Sequence, residues 1–169
     1  MGLNMIDDGR PQEKRSSWMR VLGYGGLIPF LGIALGAWVN HPLAPARELA
    51  QLNLLYGVAI VSFLGAVHWG LALMISRLAH AELLTGMSAA EFETRSFVWG
   101  VTPSLLAWVT SAFAPVDLAL SLLAMTLILV WWVDQQLLGR LNGFADYLTL
   151  RGHLTVGACI GLLATALAL

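Results

Sequence analysis

Long runs of apolar residues, interrupted at regular intervals by short polar stretches, dominate the pattern along this chain. A helix needs roughly 20 residues to cross the hydrocarbon core of a bilayer, with a range of about 17 to 25. Lipid offers no partners to backbone polar groups, so each crossing segment has to be helical. The pattern predicts an all-α integral membrane protein, a bundle of five transmembrane helices. The spans cover about residues 18–39, 52–75, 97–113, 118–133 and 153–169.

The segments between the spans carry helix signals of their own. Ser88 followed by Glu91 has the spacing of a capping box, which predicts a helix that begins at Ser88 and continues into the third span. The short connection at 114–117 predicts an antiparallel hairpin of the third and fourth spans. A further apolar stripe predicts a short amphipathic helix on the inner membrane surface. It consists of Leu137, Leu141, Phe144 and Leu148.

Small residues indicate where the helices pack closely. Gly32 and Gly36 form a G-x-x-x-G pair in the first span, and Gly157 and Gly161 repeat that spacing in the fifth. Such pairs allow two helix backbones to approach, so we expect both to lie at helix contacts. The fourth span, by contrast, is bulky all round, SLLAMTLILVWW, which predicts a lipid-facing helix.

Composition agrees with the pattern and excludes several classes of protein. Of the 169 residues 58% are hydrophobic and 11% charged, and the mean hydropathy is +0.75, outside the range of soluble domains. We expect a tail over 1–17 and a single five-helix domain over 18–169. The net charge of −1 gives no basis for a nucleic-acid partner. Cys159 is the single cysteine, so an intrachain disulfide is excluded.

Lys and Arg residues are distributed unevenly between the two sides. Eight of the nine fall on the side that holds the N-terminus, and Arg47 falls on the other. The positive-inside rule therefore predicts a cytoplasmic N-terminus and a C-terminus on the outer side of a bacterial inner membrane. The eight are Arg10, Lys14, Arg15, Arg20, Arg77, Arg95, Arg140 and Arg151.

Polar residues within the spans concentrate in the inner half. His68 lies nine residues before Arg77, roughly 13 Å inside the second span, and an intramembrane histidine is by default a candidate for function. The alternative is a neutral imidazole that only fixes helix register. Trp69 is too deep for an interfacial aromatic belt, whereas Trp99 also fits such a belt. The candidate ligand-binding residues are His68, Trp69, Trp99, Thr102, Ser104, Tyr24, Asp134 and Arg151.

Most chemistries fit this set poorly. Haem ligation by two histidines would need a second histidine at the depth of His68, and the spans hold no carboxylate away from their ends for metal hydrolysis or ion pumping. We therefore expect a non-catalytic protein that binds a hydrophobic small molecule, such as a quinone, porphyrin or lipid, near the inner leaflet. The alternative is an accessory or assembly subunit of a larger, respiratory membrane complex, or a homo-oligomer. The sequence specifies no cofactor and no metal site.

Several blocks of the chain resemble a known family. YGGLIPFLG, LLYGVAIVSFLGAVHWGLAL, WGVTPSLLAW, Asp134 and YLTLR are similar to successive blocks of a bacterial family of unknown function that includes the mitochondrial transmembrane protein 69. The resemblance implies a small five-helix inner-membrane protein and no particular activity. The length and the seven tryptophans are also similar to the tryptophan-rich sensory or translocator proteins. Their tryptophan-proline-proline element is missing from NHPLAPARELAQ, so this likeness concerns architecture alone.

Overall fold

The computed structural model describes residues 12–39, 44–75, 88–139 and 144–169, with side chains from Ser17 onward. Within these ranges the chain is entirely α-helical. The helices are α1 (Gln12–Gly25), α2 (Leu27–Val39), α3 (Ala46–Ile75), α4 (Ala89–Phe113), α5 (Val116–Leu138) and α6 (Ala145–Leu167).

Five helical segments are long and apolar enough to cross a membrane, which confirms the predicted number of spans. The first comprises Ser17–Val39 across α1 and α2, and the others correspond to α3, α4, α5 and α6. The helices extend beyond the apolar segments seen in the sequence. In α4 the extension follows the predicted cap, because the Ser88 hydroxyl accepts a hydrogen bond from the Glu91 amide at 3.2 Å.

The prediction of an amphipathic surface helix is wrong for the described residues. Leu137 belongs to the last turn of α5, and Leu148 lies in the first turns of α6. Leu141 lies outside the described residues. Leu137 and Leu148 therefore belong to two transmembrane helices that continue past Asp134 and begin before Arg151, the charged residues that sequence analysis had placed at the ends of the spans.

A break at Gly26 divides the first span. Pro29 has no amide hydrogen and its ring crowds the carbonyl of Gly25, four residues earlier, so the helix interrupts there. The Gly26 amide bonds back to Leu22 O at 3.1 Å, and its carbonyl accepts the Tyr56 hydroxyl of α3 at 2.9 Å. This bond from α3 holds the break against the bundle.

The fourth span occupies the interior, so the expectation that it faces lipid is wrong. One face of α5 packs against α3, α4 and α6, and Leu120 and Leu123 on that face are completely buried. Bulky side chains on the opposite face, including Met125 and Trp132, are exposed toward lipid. A helix that is apolar all round gives no sequence signal for which face is the buried one.

The contacts of the glycines confirm that one of the two predicted pairs lies at a helix contact and show that the prediction for the other pair is wrong. A Cβ at Gly157 or Gly161 would lie 2.7 Å from the Leu27 side chain or 2.9 Å from Phe30, so α6 packs closely on α2. Gly36 is close only to Leu49, and Gly32 has no atom within 4 Å of a Cβ position. The first span therefore does not pack through its G-x-x-x-G pair.

Candidate functional site

Three of the predicted site residues meet in a buried cluster, which we call the ionic cluster: His68, Asp134 and Arg151. Arg151 Nε donates to Asp134 Oδ2 at 2.7 Å. His68 Nε2 lies 3.3 Å from Asp134 Oδ1, without the alignment of a hydrogen bond. Helices α3, α5 and α6 each contribute one residue, so the carboxylate links two neighbouring helices.

The ionic cluster is shielded from solvent and lies inside the spans. The exposed fractions are 2% for His68, 1% for Asp134 and 5% for Arg151. At about 1.5 Å per residue, His68 lies roughly 10 Å from the end of α3, Asp134 roughly 6 Å from that of α5, and Arg151 roughly 9 Å from the start of α6. Buried charges in a membrane are stable only when they are paired, and these residues pair with one another.

The apolar pattern of α3 explains why His68 points inward. Buried residues recur along one stripe of this helix at spacings of three and four, and His68 occupies one position of that stripe. Asn53, Val61 and Ala72 occupy other positions and are fully buried. Because the stripe faces the other helices of the bundle, α5 and α6 among them, His68 can meet the partners that those two helices supply.

Several polar atoms around the cluster have no hydrogen-bond partner among the described residues. They include Arg151 Nη2, Asp134 Oδ1, His68 Nδ1 and Thr155 Oγ1. Thr155 is 6% exposed and follows Arg151 by one turn of α6. Unpaired buried polar groups are costly, so such a concentration of them marks a place where another molecule can supply the missing partners.

A cavity of about 170 Å³ adjoins the cluster, and we call it the Arg151 cavity. Arg151 and Thr155 supply the polar groups among its lining side chains. The rest of its wall is apolar and comes from α1, α2, α3, α5 and α6, including Phe30, Ile60 and Leu127. An apolar cavity with few polar groups at one end is the usual form of a site for a small lipophilic ligand.

A second depression lies on the outside of α5 and α6. This groove of about 380 Å³ is lined by apolar side chains together with Trp131 and Thr155. Gly152 lies beneath Trp131, and a Cβ there would be 3.2 Å from the indole nitrogen. Thr155 is thus common to the groove and the Arg151 cavity, whereas Arg151 lines the cavity but not the groove.

The structure places Trp69 at a helix contact, away from the lining of the Arg151 cavity. Its indole nitrogen donates to Phe97 O at 3.1 Å, and its ring meets the Phe97 ring edge-on. A Cβ at Gly100 would lie 2.2 Å from Trp69 Cδ1. The side chain, which is 45% exposed, therefore fastens α3 to α4 over a glycine.

Three further predicted site residues lie on α4 and do not reach the cluster. Thr102 and Ser104 donate to carbonyls of their own helix, Val98 O and Val101 O, each at 2.8 Å. The Trp99 indole nitrogen is buried and has no partner among the described residues. The WGVTPS segment thus satisfies its hydroxyl groups locally.

Tyr24, the last of the predicted residues, lies near the break in the first span. Its hydroxyl is 3.2 Å from His153 Nδ1 of α6, and both side chains are exposed. The neighbouring Gly23 and Leu154 line the Arg151 cavity. The Tyr24–His153 contact therefore lies beside that cavity and joins α1 to α6.

A polar network in the other half of the bundle was missed in the sequence. Asn53 is fully buried and donates to Thr165 Oγ1 at 2.6 Å, with longer bonds of 3.4 Å to Phe30 O and Gly161 O. It ties α3 to α2 and α6, so the expectation of an almost purely apolar outer half is wrong. Its signal was available, because Asn53 lies in an apolar run on the same buried stripe as His68.

No group of three or more His, Cys, Asp or Glu residues that could hold a metal ion occurs in the part of the chain that the structure describes. The ionic cluster consists of one carboxylate, one imidazole and one guanidinium. Its chemistry is that of hydrogen bonding and charge pairing.

Comparison with known proteins agrees with the assignment to a membrane. Transmembrane protein 69 of Xenopus tropicalis is 34% identical over 92 residues, which span 54% of this chain and 31% of that relative. No solved structure matches the chain. A family model described as "Protein of unknown function (DUF3429)" matches residues 16–167. The chain is thus a multi-pass membrane protein that belongs to the DUF3429 family.

Proposed function

We propose that this protein binds a small lipophilic molecule in the Arg151 cavity. The observation that carries the proposal is that two buried polar groups, Arg151 Nη2 and Thr155 Oγ1, have no hydrogen-bond partner in the described part of the chain and belong to residues that line an otherwise apolar cavity. A ligand with an apolar body and a polar end would fill the volume and also supply these groups with partners. The site thus lies on the Arg151 side of the ionic cluster, and Trp69 supports it through helix packing.

The volume of the cavity restricts the class of ligand. An apolar cavity of about 150 Å³ in another protein holds one benzene molecule. The Arg151 cavity, at about 170 Å³, therefore fits a single ring or a short alkyl segment. The head of a quinone or part of a lipid fits this volume, and the rest of such a molecule can extend past Leu22 and Phe63, which line the cavity and are exposed.

The ionic cluster favours binding over turnover. The Asp134 carboxylate is held by Arg151 on one oxygen and approached by His68 on the other, so it is engaged in the structure itself. A group that serves as a general base must reach the proton of a substrate. Asp134 and His68 are not among the residues that line the cavity, and only Arg151 of the cluster is.

Mass spectrometry of the solvent extract from purified protein tests the proposal. We expect a lipophilic molecule in near-stoichiometric amount, and we expect Ala158→Leu to remove it, because Ala158 lines the cavity and the larger side chain fills it. Ala112→Leu makes the same change at an exposed position outside the cavity lining and should leave the bound amount unchanged. Equal retention by both variants would show that the molecule is bound elsewhere.

A second candidate function is attachment to a larger membrane complex or to a second copy of the chain. It is favoured by glycines without neighbours: a Cβ at Gly32 or Gly70 would have no atom within 4 Å. Open small-residue positions in a transmembrane helix allow another helix to approach closely. Co-purification of the same partner under mild detergent, lost in Gly32→Leu, would support this alternative.

We also propose that the membrane is a bacterial inner membrane, with the N-terminus in the cytoplasm. The support is the distribution of Lys and Arg along the sequence. On this orientation the ionic cluster and the Arg151 cavity lie in the cytoplasmic half of the bilayer.

A further inference from the structure

The unpartnered polar groups on the side chains that line the Arg151 cavity are hydrogen-bond donors. Arg151 has no acceptor atom, and its Nη2 group is without a partner among the described residues. The Thr155 hydroxyl bonds to no carbonyl there, so its hydrogen is also available. A ligand whose polar end only donates hydrogen bonds would leave the Arg151 group unsatisfied. The polar end of the ligand therefore has to accept hydrogen bonds.

The charges in the ionic cluster favour a neutral acceptor over an anionic one. Asp134 and Arg151 carry opposite charges and compensate each other at 2.7 Å, so the charge of Arg151 already has its partner. An added carboxylate or phosphate would leave one uncompensated negative charge in an apolar interior. Burial of an unpaired charge costs far more than one hydrogen bond returns.

From these two observations we infer that the ligand presents an uncharged carbonyl oxygen to Arg151 Nη2 and Thr155 Oγ1. The inference rests on the proposed function and names the chemical class of its ligand. An uncharged carbonyl on an apolar body occurs in the ring of a quinone and in the ester of a glycerolipid. Both place an acceptor at the end of a group small enough for a cavity of about 170 Å³.

Binding of matched probes to the purified full chain in detergent tests this class. Decyl-1,4-benzoquinone carries the carbonyl acceptor, decylbenzene lacks it, and 4-decylbenzoate carries a charge in its place. A hydrogen bond to a charged donor corresponds to roughly tenfold or more in affinity. We expect the quinone to bind about tenfold more tightly than either of the other probes, measured by quenching of tryptophan fluorescence or by calorimetry.

A threonine variant distinguishes an effect on ligand affinity from an effect on folding stability. Thr155→Val keeps the shape of the side chain and removes a hydroxyl that has no partner, so folding stability should not fall, while quinone affinity should fall about fivefold to tenfold. Thr126→Val is the matched control. Thr126 is buried on α5, bonds to Leu122 O at 2.9 Å and does not line the cavity, so this variant should bind the quinone as the parent does.

The outcomes distinguish the inference from the proposed function. Equal affinity for decylbenzene and the quinone, or tighter binding of the benzoate, overturns the carbonyl class and leaves lipophile binding intact. Failure of every probe, with no small molecule in the extract, overturns both. Where the probes rank as expected, the mass of the natural occupant decides between its two sources, a quinone or a glycerolipid.

Discussion

At the scale of single residues, the position of His68 favours a bridging role. Its ring is buried on α3, its Nε2 faces the Asp134 carboxylate of α5 at 3.3 Å, and it is absent from the lining of the Arg151 cavity. The imidazole therefore contributes to helix register, which was the second of the two roles that the sequence left open. In the proposed site, the polar contacts with a ligand come from Arg151 and Thr155 instead.

Replacement of His68 tests this division of roles. His68→Leu removes a polar contact that lacks the alignment of a hydrogen bond, so it should lower the free energy of unfolding by no more than about 0.6 kcal/mol, the average for a hydrogen bond between membrane helices. Retention of the extracted lipophile should be unchanged. His68→Gln keeps a side-chain N–H and should restore part of the stability. Loss of the lipophile from stably folded His68→Leu protein would instead place the imidazole at the ligand.

The Asp134–Arg151 pair gives a second prediction at this scale. Asp134→Asn or Arg151→Met leaves one buried charge alone and should each destabilise the protein by about 3–5 kcal/mol. The double variant removes both charges and should recover most of the lost stability. Thermal unfolding in detergent measures the stability of all three variants.

An exposed pair serves as the control for this cycle. Arg95 and Glu91 form an ion pair at 2.8 Å with side chains 59% and 48% exposed. Arg95→Met should change stability little, because solvent screens such pairs. Simple additivity of the two single changes at Asp134 and Arg151 would contradict a coupled buried pair.

At the scale of helices, close packing depends on glycines that face another backbone. A Cβ at Gly65 would lie 2.3 Å from Gly100 O, so α3 and α4 are in direct backbone contact there. A backbone carbonyl cannot rotate aside as a flexible side chain can. The Trp69 side chain covers the same contact from the lipid side, because it lies over Gly100 and bonds to Phe97 O.

Two alanine substitutions distinguish packed from open glycines. Gly65→Ala should destabilise the protein by about 1–3 kcal/mol, since the helices have to separate. Gly32→Ala should be neutral or stabilising by up to about 1 kcal/mol, because alanine favours the helix and nothing lies within 4 Å. Thermal unfolding of both variants in the same detergent measures the difference. Equal destabilisation would place a partner on Gly32, in favour of the docking alternative.

Sequence analysis predicted where the helices lie but not which of their faces pack against other helices, for physical reasons. Hydropathy reports transfer of a segment into lipid, which is why the five spans were predictable. It does not report which face of an apolar helix meets protein, so α5 was assigned to lipid although Leu123 is fully buried. Likewise Gly32 and Gly65 are both glycines within predicted spans, and nothing in the sequence indicates that only Gly65 packs against Gly100.

The candidate site was predictable in part for the same reason. An ionisable residue in a span has to find a partner, so His68 could be selected by the cost of its burial alone. Asp134 and Arg151 were selected at the ends of the predicted spans, and only the longer helices of the structure place them inside. Trp69, Thr102 and Ser104 satisfy their polar groups at helix backbones, which no spacing in the sequence indicates. The cavity arises from five helices together, and its volume follows only from their packing.

At the scale of the whole molecule, the fold places the ionic cluster toward one end of the bundle. The end of α3, the end of α5 and the start of α6 lie on one side, and the cluster is within roughly 10 Å of each. Arg151, counted in the sequence among the flanking charges, is buried and paired with Asp134. Without it seven of the remaining eight Lys and Arg residues still fall on that side. The predicted orientation therefore does not depend on Arg151.

Reporter fusions test that orientation. A periplasmic reporter joined after Leu169 should be active, and one inserted near Gly86, in the segment between α3 and α4, should be inactive, with a cytoplasmic reporter giving the opposite pattern at both positions. The matched variant Arg47→Gln removes the one positive charge on the other side and should leave the pattern unchanged. The reverse pattern would move the Arg151 cavity to the outer leaflet. Its ligand would then have to reach it from the periplasmic side, although the contacts of Arg151 and Thr155 within the bundle would remain the same.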